Sequence, residues 1–253
     1  MDLGLADRVF ILTGASRGLG FATAQALVGD GARVVISSRD ADRVAEAVDR
    51  LGGPEHALGV TADLADPSTP RELVHAAQER FGRLDGALIS VGGPTPGTAA
   101  SMSDDQWTTA FETVFLGSVR AARTFAAALP EGGAIGLVLS TSVKTPLAGL
   151  GLSNGFRPGL AMAAKDMADE FAPRGVRVLS ILPGRFMTDR SRELFEAAPD
   201  PAAAAEAVAA NIPLSRIGEP TEFGRVAAFL LSPAASYVTG VAVPVDGGAL
   251  RAL

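Results

Sequence analysis

Cysteine is absent from the 253-residue chain, which excludes a disulfide framework, a thiolate zinc site and a cysteine nucleophile. Lysine stands only at Lys144 and Lys165, tyrosine only at Tyr237, and asparagine only at Asn154 and Asn211. Chemistry that needs one of these side chains therefore has very few places to occur. The two histidines, His56 and His75, have a separation that fits no metal-ligand spacing, so no metal is expected. No stretch is apolar over the ~18 residues that a membrane span requires, and no basic segment followed by an apolar one opens the chain. Positive charge is also short, with a formal net charge of -6 and a pI near 5.0, the opposite of a general nucleic-acid binder. These absences predict a cytoplasmic protein with neither a membrane nor a nucleic-acid partner.

What is present is an ordinary foldable composition: 47% hydrophobic, 20% charged and a mean hydropathy of +0.26, far from a disordered or collagen-like chain. The length suits one α/β domain. Short apolar runs at Val9 to Leu12, Val34 to Ile36, Leu58 to Val60, Ala87 to Val91, Ile135 to Leu139, Val176 to Leu182 and Val241 to Val245 read as buried strands. Helical spacing fills the gaps after Leu19, around Val44 to Leu51, over Pro70 to Phe81, from Ser103 to Leu129 and through Met162 to Phe171. Strands alternating with helices predict a doubly wound parallel sheet of the Rossmann type in a single domain. An Ala-rich stretch, Pro201 to Ala210, interrupts the alternation, and residues 189–212 are expected to form a substrate lid.

Between the first strand and the first helix the chain reads Thr13-Gly14-Ala15-Ser16-Arg17-Gly18-Leu19-Gly20. Glycines there permit a tight turn and a close backbone approach to a pyrophosphate, while the helix N-terminus offers N–H donors and positive potential. Its place after the first strand makes dinucleotide binding the expected use.

This Thr-Gly-x-x-x-Gly-x-Gly order resembles the short-chain dehydrogenase/reductase family, and the resemblance runs along almost the whole chain. Asp63-Leu64 is similar to the family's adenine contact. Pro183-Gly184 followed by Thr188 is similar to its nicotinamide-carboxamide contact, and Ile212 to Pro220 and Val245-Asp246-Gly247-Gly248 to its C-terminal signature. Gly92 to Gly97 replaces the family's Asn-rich turn after the fourth strand and is expected to shape the floor of the nicotinamide site, with Ser90 and Val91 in place of asparagines.

Charge argues for the choice of coenzyme. An acidic residue at the end of the second strand would bond the adenosine ribose and repel a 2′-phosphate, but the chain reads Ser37-Ser38-Arg39 there. Arg39 and Arg17 together would grip a phosphate monoester through charge-assisted hydrogen bonds. NADP(H) is the expected cofactor.

The resemblance breaks where the family carries its chemistry. It implies an acid/base tyrosine, a lysine four residues later, a serine before both and a relay asparagine on the preceding helix. Here the helix reads Ser153-Asn154-Gly155-Phe156-Arg157, Val114 or Phe115 occupies the asparagine's neighbourhood, and Tyr237 lies in a C-terminal turn. Only the serine remains, as Ser142 or, with a different loop length, Ser140. Arg157 can hold ribose hydroxyls but holds its proton too tightly to shuttle it. Ser153 lacks phenol acidity. Lys144, two residues past Ser142, becomes a proton donor if it is desolvated.

Ser142, Lys144, Arg157 and Ser153 are thus the catalytic candidates. Three readings follow: an NADPH-dependent reductase of a ketone or 3-oxoacyl-type carbonyl substrate, a lyase, isomerase or cyclase using the same pocket, or a non-catalytic NADP(H)-binding protein. By analogy with similar proteins, the helix from Ser103 and the helix through Met162 pair across a two-fold axis to give a homodimer or homotetramer. Phe186, Leu194 and Phe195 at the lid predict an apolar or extended substrate.

Overall fold

Seven parallel strands form one sheet in a computed structural model that describes residues 2–252. The strands are β1 (Val9–Thr13), β2 (Arg33–Ser38), β3 (Ala57–Thr61), β4 (Gly86–Ile89), β5 (Ala134–Val138), β6 (Arg177–Pro183) and β7 (Ala242–Val245). Their spatial order is β3-β2-β1-β4-β5-β6-β7, so the chain reverses its direction of winding between β1 and β4. Crevices at such a switch point, outside the carboxyl ends of the strands, are where open α/β sheets bind ligands.

The strands are apolar on both faces because helices cover both. Alternate residues divide the core: Val9, Ile11, Ile135 and Leu137 face one cluster, while Phe10, Leu12, Ala134 and Val138 face the other. The first cluster packs α3 (Thr69–Phe81), α5 (Gly117–Ala128) and α6 (Gly151–Phe171), through Leu73, Phe125 and Leu160. The second packs α1 (Gly18–Gly29), α2 (Ala41–Arg50) and α9 (Pro220–Leu231), through Leu27, Ala47 and Phe223. Each fully buried side chain of this size contributes ~1.5–3 kcal/mol of burial free energy.

The doubly wound parallel sheet is as expected, and each expected strand is present within one or two residues. Three details differ. The single helix expected over Ser103 to Leu129 is α4 (Asp104–Ala110), a π-helical segment (Phe111–Leu116) and α5 in succession. At Gly117 a Cβ would lie 2.7 Å from the Leu64 carbonyl, so the helix hugs the Asp63-Leu64 turn. Second, Ser153 to Arg157 and the stretch through Met162 to Phe171 lie on one continuous helix, α6, which starts at Gly151 and runs through Pro158. Third, α9 goes beyond the expected elements, although Phe223, Ala227 and Leu231 recur at helical spacing and are all buried. The stretch expected as a lid carries α7 (Asp189–Glu196) and α8 (Pro201–Ala209), rooted where Met187 N–H donates to the Gly218 carbonyl at 2.8 Å. Among the described residues no helix is long and apolar enough to cross a membrane.

Candidate active site

The glycine turn sits where β1 ends, and its backbone leaves no room for a side chain at Gly14 or Gly20. Gly14 has φ +58°, and a Cβ there would lie 2.6 Å from the Ser90 carbonyl oxygen. At Gly20 a Cβ would lie 2.7 Å from the Gly14 oxygen, so α1 could not start this close to the turn with any other residue. Thr13 ties the two strands at the switch point: its hydroxyl donates to the Ser90 carbonyl at 2.8 Å and accepts from Ser90 N–H at 2.9 Å.

A cleft of about 670 Å³ opens over these strand ends, a volume within the range of ligand sites. It brings together Gly14, Ser16 and Arg17 from the turn, Ser38 and Arg39 from the end of β2, Asp63 and Leu64 after β3, and Gly92 after β4. Arg39 Nη1 lies 4.0 Å from Asp63 Oδ2, while Asp63 Oδ1 accepts Ala65 N–H at 3.0 Å and fixes the turn. Arg43, on the first turn of α2, lines the same end and pairs with Asp40 at 3.2 Å. Three guanidiniums, those of Arg17, Arg39 and Arg43, therefore belong to the lining of the cleft.

Gly18, Leu19 and Gly20 open α1 behind this lining. Pro183 and Gly184 end β6 outside it, as does Thr188, whose methyl carbon would lie 3.7 Å from a Cβ at Gly18.

Ser142, Ser153 and Arg157 are each buried and lie outside the cleft lining, which reaches α6 at Leu152. Ser142, in a short turn after β5, and Ser153, in the first turn of α6, place their Oγ atoms 3.2 Å apart, within hydrogen-bond reach. Arg157, one turn further along α6 and 6% exposed, donates from Nη1 to the carbonyls of Val138 at 2.8 Å and Leu139 at 2.9 Å. Burial lowers the Arg157 guanidinium to about 10, because a low-dielectric surrounding disfavours the cation. It remains charged at neutral pH. Ser140 caps the turn that carries Ser142, its Oγ accepting Ser142 N–H at 3.1 Å.

Residues 14–249 match the family model for enoyl-(acyl carrier protein) reductases. The chain belongs to the short-chain dehydrogenase/reductase family. L-Rhamnose 1-dehydrogenase (NAD(P)(+)) of Azotobacter vinelandii is 32% identical over 255 residues, covering 96% of this chain and 97% of that one. L-Sorbose reductase from Gluconobacter frateurii, solved with NADPH and L-sorbose, is 30% identical with a TM-score of 0.91 over 100% of both chains. An NADPH-bound short chain oxidoreductase from Pseudomonas aeruginosa PAO1, described as containing an atypical catalytic center, is 30% identical with a TM-score of 0.90, covering 97% of this chain and 98% of that one.

As a member of this oxidoreductase family, the chain carries a donor set that suits a nicotinamide dinucleotide: a glycine turn at a helix N-terminus for phosphates, arginines in the lining and an open approach at Gly92, where a Cβ would meet nothing within 4 Å. One expectation needs correction. Lys144 is exposed and lies outside the cleft lining; its backbone N–H donates to the Thr141 carbonyl at 3.0 Å, and its side chain makes no hydrogen bond or ion pair among the described residues. The desolvation on which its role as a proton donor depended is missing.

Two residues were not anticipated. Arg43 lies four positions after Arg39, one helical turn on. Asn154 donates from Nδ2 to the Leu147 carbonyl at 2.8 Å and accepts Leu147 N–H at 3.0 Å, pinning the loop that follows Ser142 to α6. Gly97 adds a second clasp on that loop, donating to the Gly149 carbonyl at 2.7 Å and accepting Gly151 N–H at 2.8 Å.

Proposed function

We propose that this chain is an NADP(H)-dependent reductase of a ketone or 3-oxoacyl-type carbonyl, working with a serine pair and a buried arginine where its family carries tyrosine and lysine. One observation carries the reading: Arg17, Arg39 and Arg43 all line the cleft, and the end of β2 carries Ser38 and Arg39 where a carboxylate would be needed to favour the unphosphorylated coenzyme. Gly14, Ser16, Gly18, Leu19 and Gly20 would hold the pyrophosphate, Asp63 and Leu64 the adenine, and Gly92, Pro183, Gly184 and Thr188 the nicotinamide half. The bound coenzyme supplies the hydride.

The chain's own residues then have three tasks. Ser142, oriented by Ser153, donates a hydrogen bond to the substrate oxygen and stabilises the negative charge that grows there. Arg157 keeps a positive potential behind that pair and cannot deliver its proton at neutral pH, so the final proton comes from water. Lys144, being exposed, has no part in the transfer. The apolar side chains of the lid, Leu194 and Phe195, with Phe186 and Ile217 and together with Arg185 and Ser191, line a separate, smaller cavity of about 110 Å³, which suits an apolar portion of the substrate.

The test is NADPH oxidation with a panel of ketones and 3-oxoacyl thioesters, using the protein and its Ser142→Ala variant. Turnover that falls in the variant supports the reading. Tight NADPH binding with no turnover on any carbonyl would overturn the reductase assignment and favour a protein that binds the coenzyme without using it.

A further inference from the structure

Helix α7 returns to the phosphate turn at residues that the coenzyme itself would need. Thr188, the α7 N-cap, packs against Gly18, and its Oγ1 accepts Ser191 N–H at 3.3 Å. One helical turn on, Glu193 Oε1 lies 3.8 Å from Arg17 Nη1. Arg190, on the first turn of α7, brings Nη1 to 3.0 Å from the Cβ position of Gly93. The helix thus reaches from the glycine turn to the loop after β4, with the cleft between them.

The three arginines of the cleft differ in what balances their charge. Arg39 and Arg43 are paired with Asp63 and Asp40, carboxylates on the turns that flank the sheet. Arg17 is paired with Glu193, on the segment outside the doubly wound alternation. A 2′-phosphate entering beside Arg17 meets a guanidinium already shared with that segment.

We infer that Glu193 sets the affinity for phosphorylated coenzyme through Arg17, because its carboxylate and the 2′-phosphate compete for one guanidinium; this rests on the NADP(H) reading above. A phosphorylated coenzyme binds at the expense of the Glu193–Arg17 contact and frees α7 from the turn. An unphosphorylated one presents no rival anion and leaves the contact in place. Both side chains are exposed, so the competition is modest: a pair of this kind shifts the equilibrium by about two- to five-fold. Glu193 is a positioning residue that touches the coenzyme's partner rather than the coenzyme.

The experiment is calorimetric titration of NADPH and NADH into the unaltered protein, Glu193→Gln and Glu196→Gln, at one fixed salt concentration. Glu196 lies on the same helix and makes no ion pair among the described residues, so its variant removes the same charge without the contact. The expected result is NADPH binding tightened about two- to five-fold in Glu193→Gln alone, with NADH unchanged in all three proteins. Equal tightening in both variants, equal tightening for both coenzymes, or no change in Glu193→Gln overturns the inference. Failure of the coenzyme reading shows differently, as an unaltered protein that does not prefer NADPH at all.

Discussion

Ser142 Oγ and Ser153 Oγ lie 3.2 Å apart in a buried pair that joins the turn after β5 to the first turn of α6. Two hydroxyls at this distance act as a unit: when Ser153 donates to Ser142, the Ser142 proton is left free to point at a substrate oxygen. Ser142→Ala is expected to lower kcat by about a hundredfold, the usual cost of removing one oxyanion donor, while the NADPH dissociation constant stays unchanged. Ser153→Ala is expected to cost about tenfold in kcat, and the double variant no more than Ser142→Ala alone. Steady-state kinetics on the three variants checks this; additive losses would mean that the hydroxyls act separately.

Coenzyme choice is expected to follow the arginines. Arg39→Ala should weaken NADPH about 10- to 100-fold, the loss of one charge-assisted hydrogen-bonding group, with NADH changed by less than about threefold. Arg43→Ala should have the same direction and a smaller size, because Asp40 already claims part of its charge. Fluorescence titration with both coenzymes gives the ratio.

The pH profile carries a sign that can be worked out from Arg157. Burial disfavours its charged form, so the cation is complete at neutral pH and is lost as pH rises through about 10. If the proposed serine pair, rather than a titrating phenol, faces the substrate oxygen, kcat/KM is expected to be flat between about pH 6 and 9 and to fall above that. In Arg157→Lys the falling limb should move to lower pH, because a buried ammonium starts from a lower ordinary value and burial lowers it further. A bell-shaped profile centred near neutrality would point to an acid that is not among these residues.

Stability depends on a second buried guanidinium far from the cleft. Arg177 donates to the carbonyls of Leu230 at 2.8 Å, Ser232 at 2.9 Å and Val238 at 3.2 Å, so that the C-terminal end of α9 is closed against β6. Burial lowers its pKa from the ordinary value, and removing it leaves three carbonyls without the donor they share. Arg177→Met is expected to destabilise the fold by about 2–3 kcal/mol, read as a lower urea midpoint with an unchanged slope. Coenzyme affinity in the folded variant should not change.

Much of this molecule was legible from the chain alone, for physical reasons that differ by element. Strands buried on both faces print continuous apolar runs, and the glycine turn must lack side chains at Gly14 and Gly20, so β1, its turn and α1 could be read together. Ser38 and Arg39 were found by charge at a position fixed by the strand's end. The exposure of Lys144 could not be found this way, because the path of an irregular loop has no period. Arg43 needed the start of α2, which the Asp40 cap signals by accepting Arg43 N–H at 3.1 Å. The π-helical segment stayed hidden because the apolar pattern from Trp107 to Phe125 fits a regular helix almost as well. α9 had a usable signal in Phe223, Ala227 and Leu231 that was masked by the Gly-Glu-Pro turn before it.

The most direct measurement of the central claim is calorimetric titration of the unaltered protein with NADPH and with NADH under identical conditions. The account predicts one site per chain, with NADPH bound at least about tenfold more tightly than NADH. Equal affinity for the two, or heat of binding from neither, would contradict it.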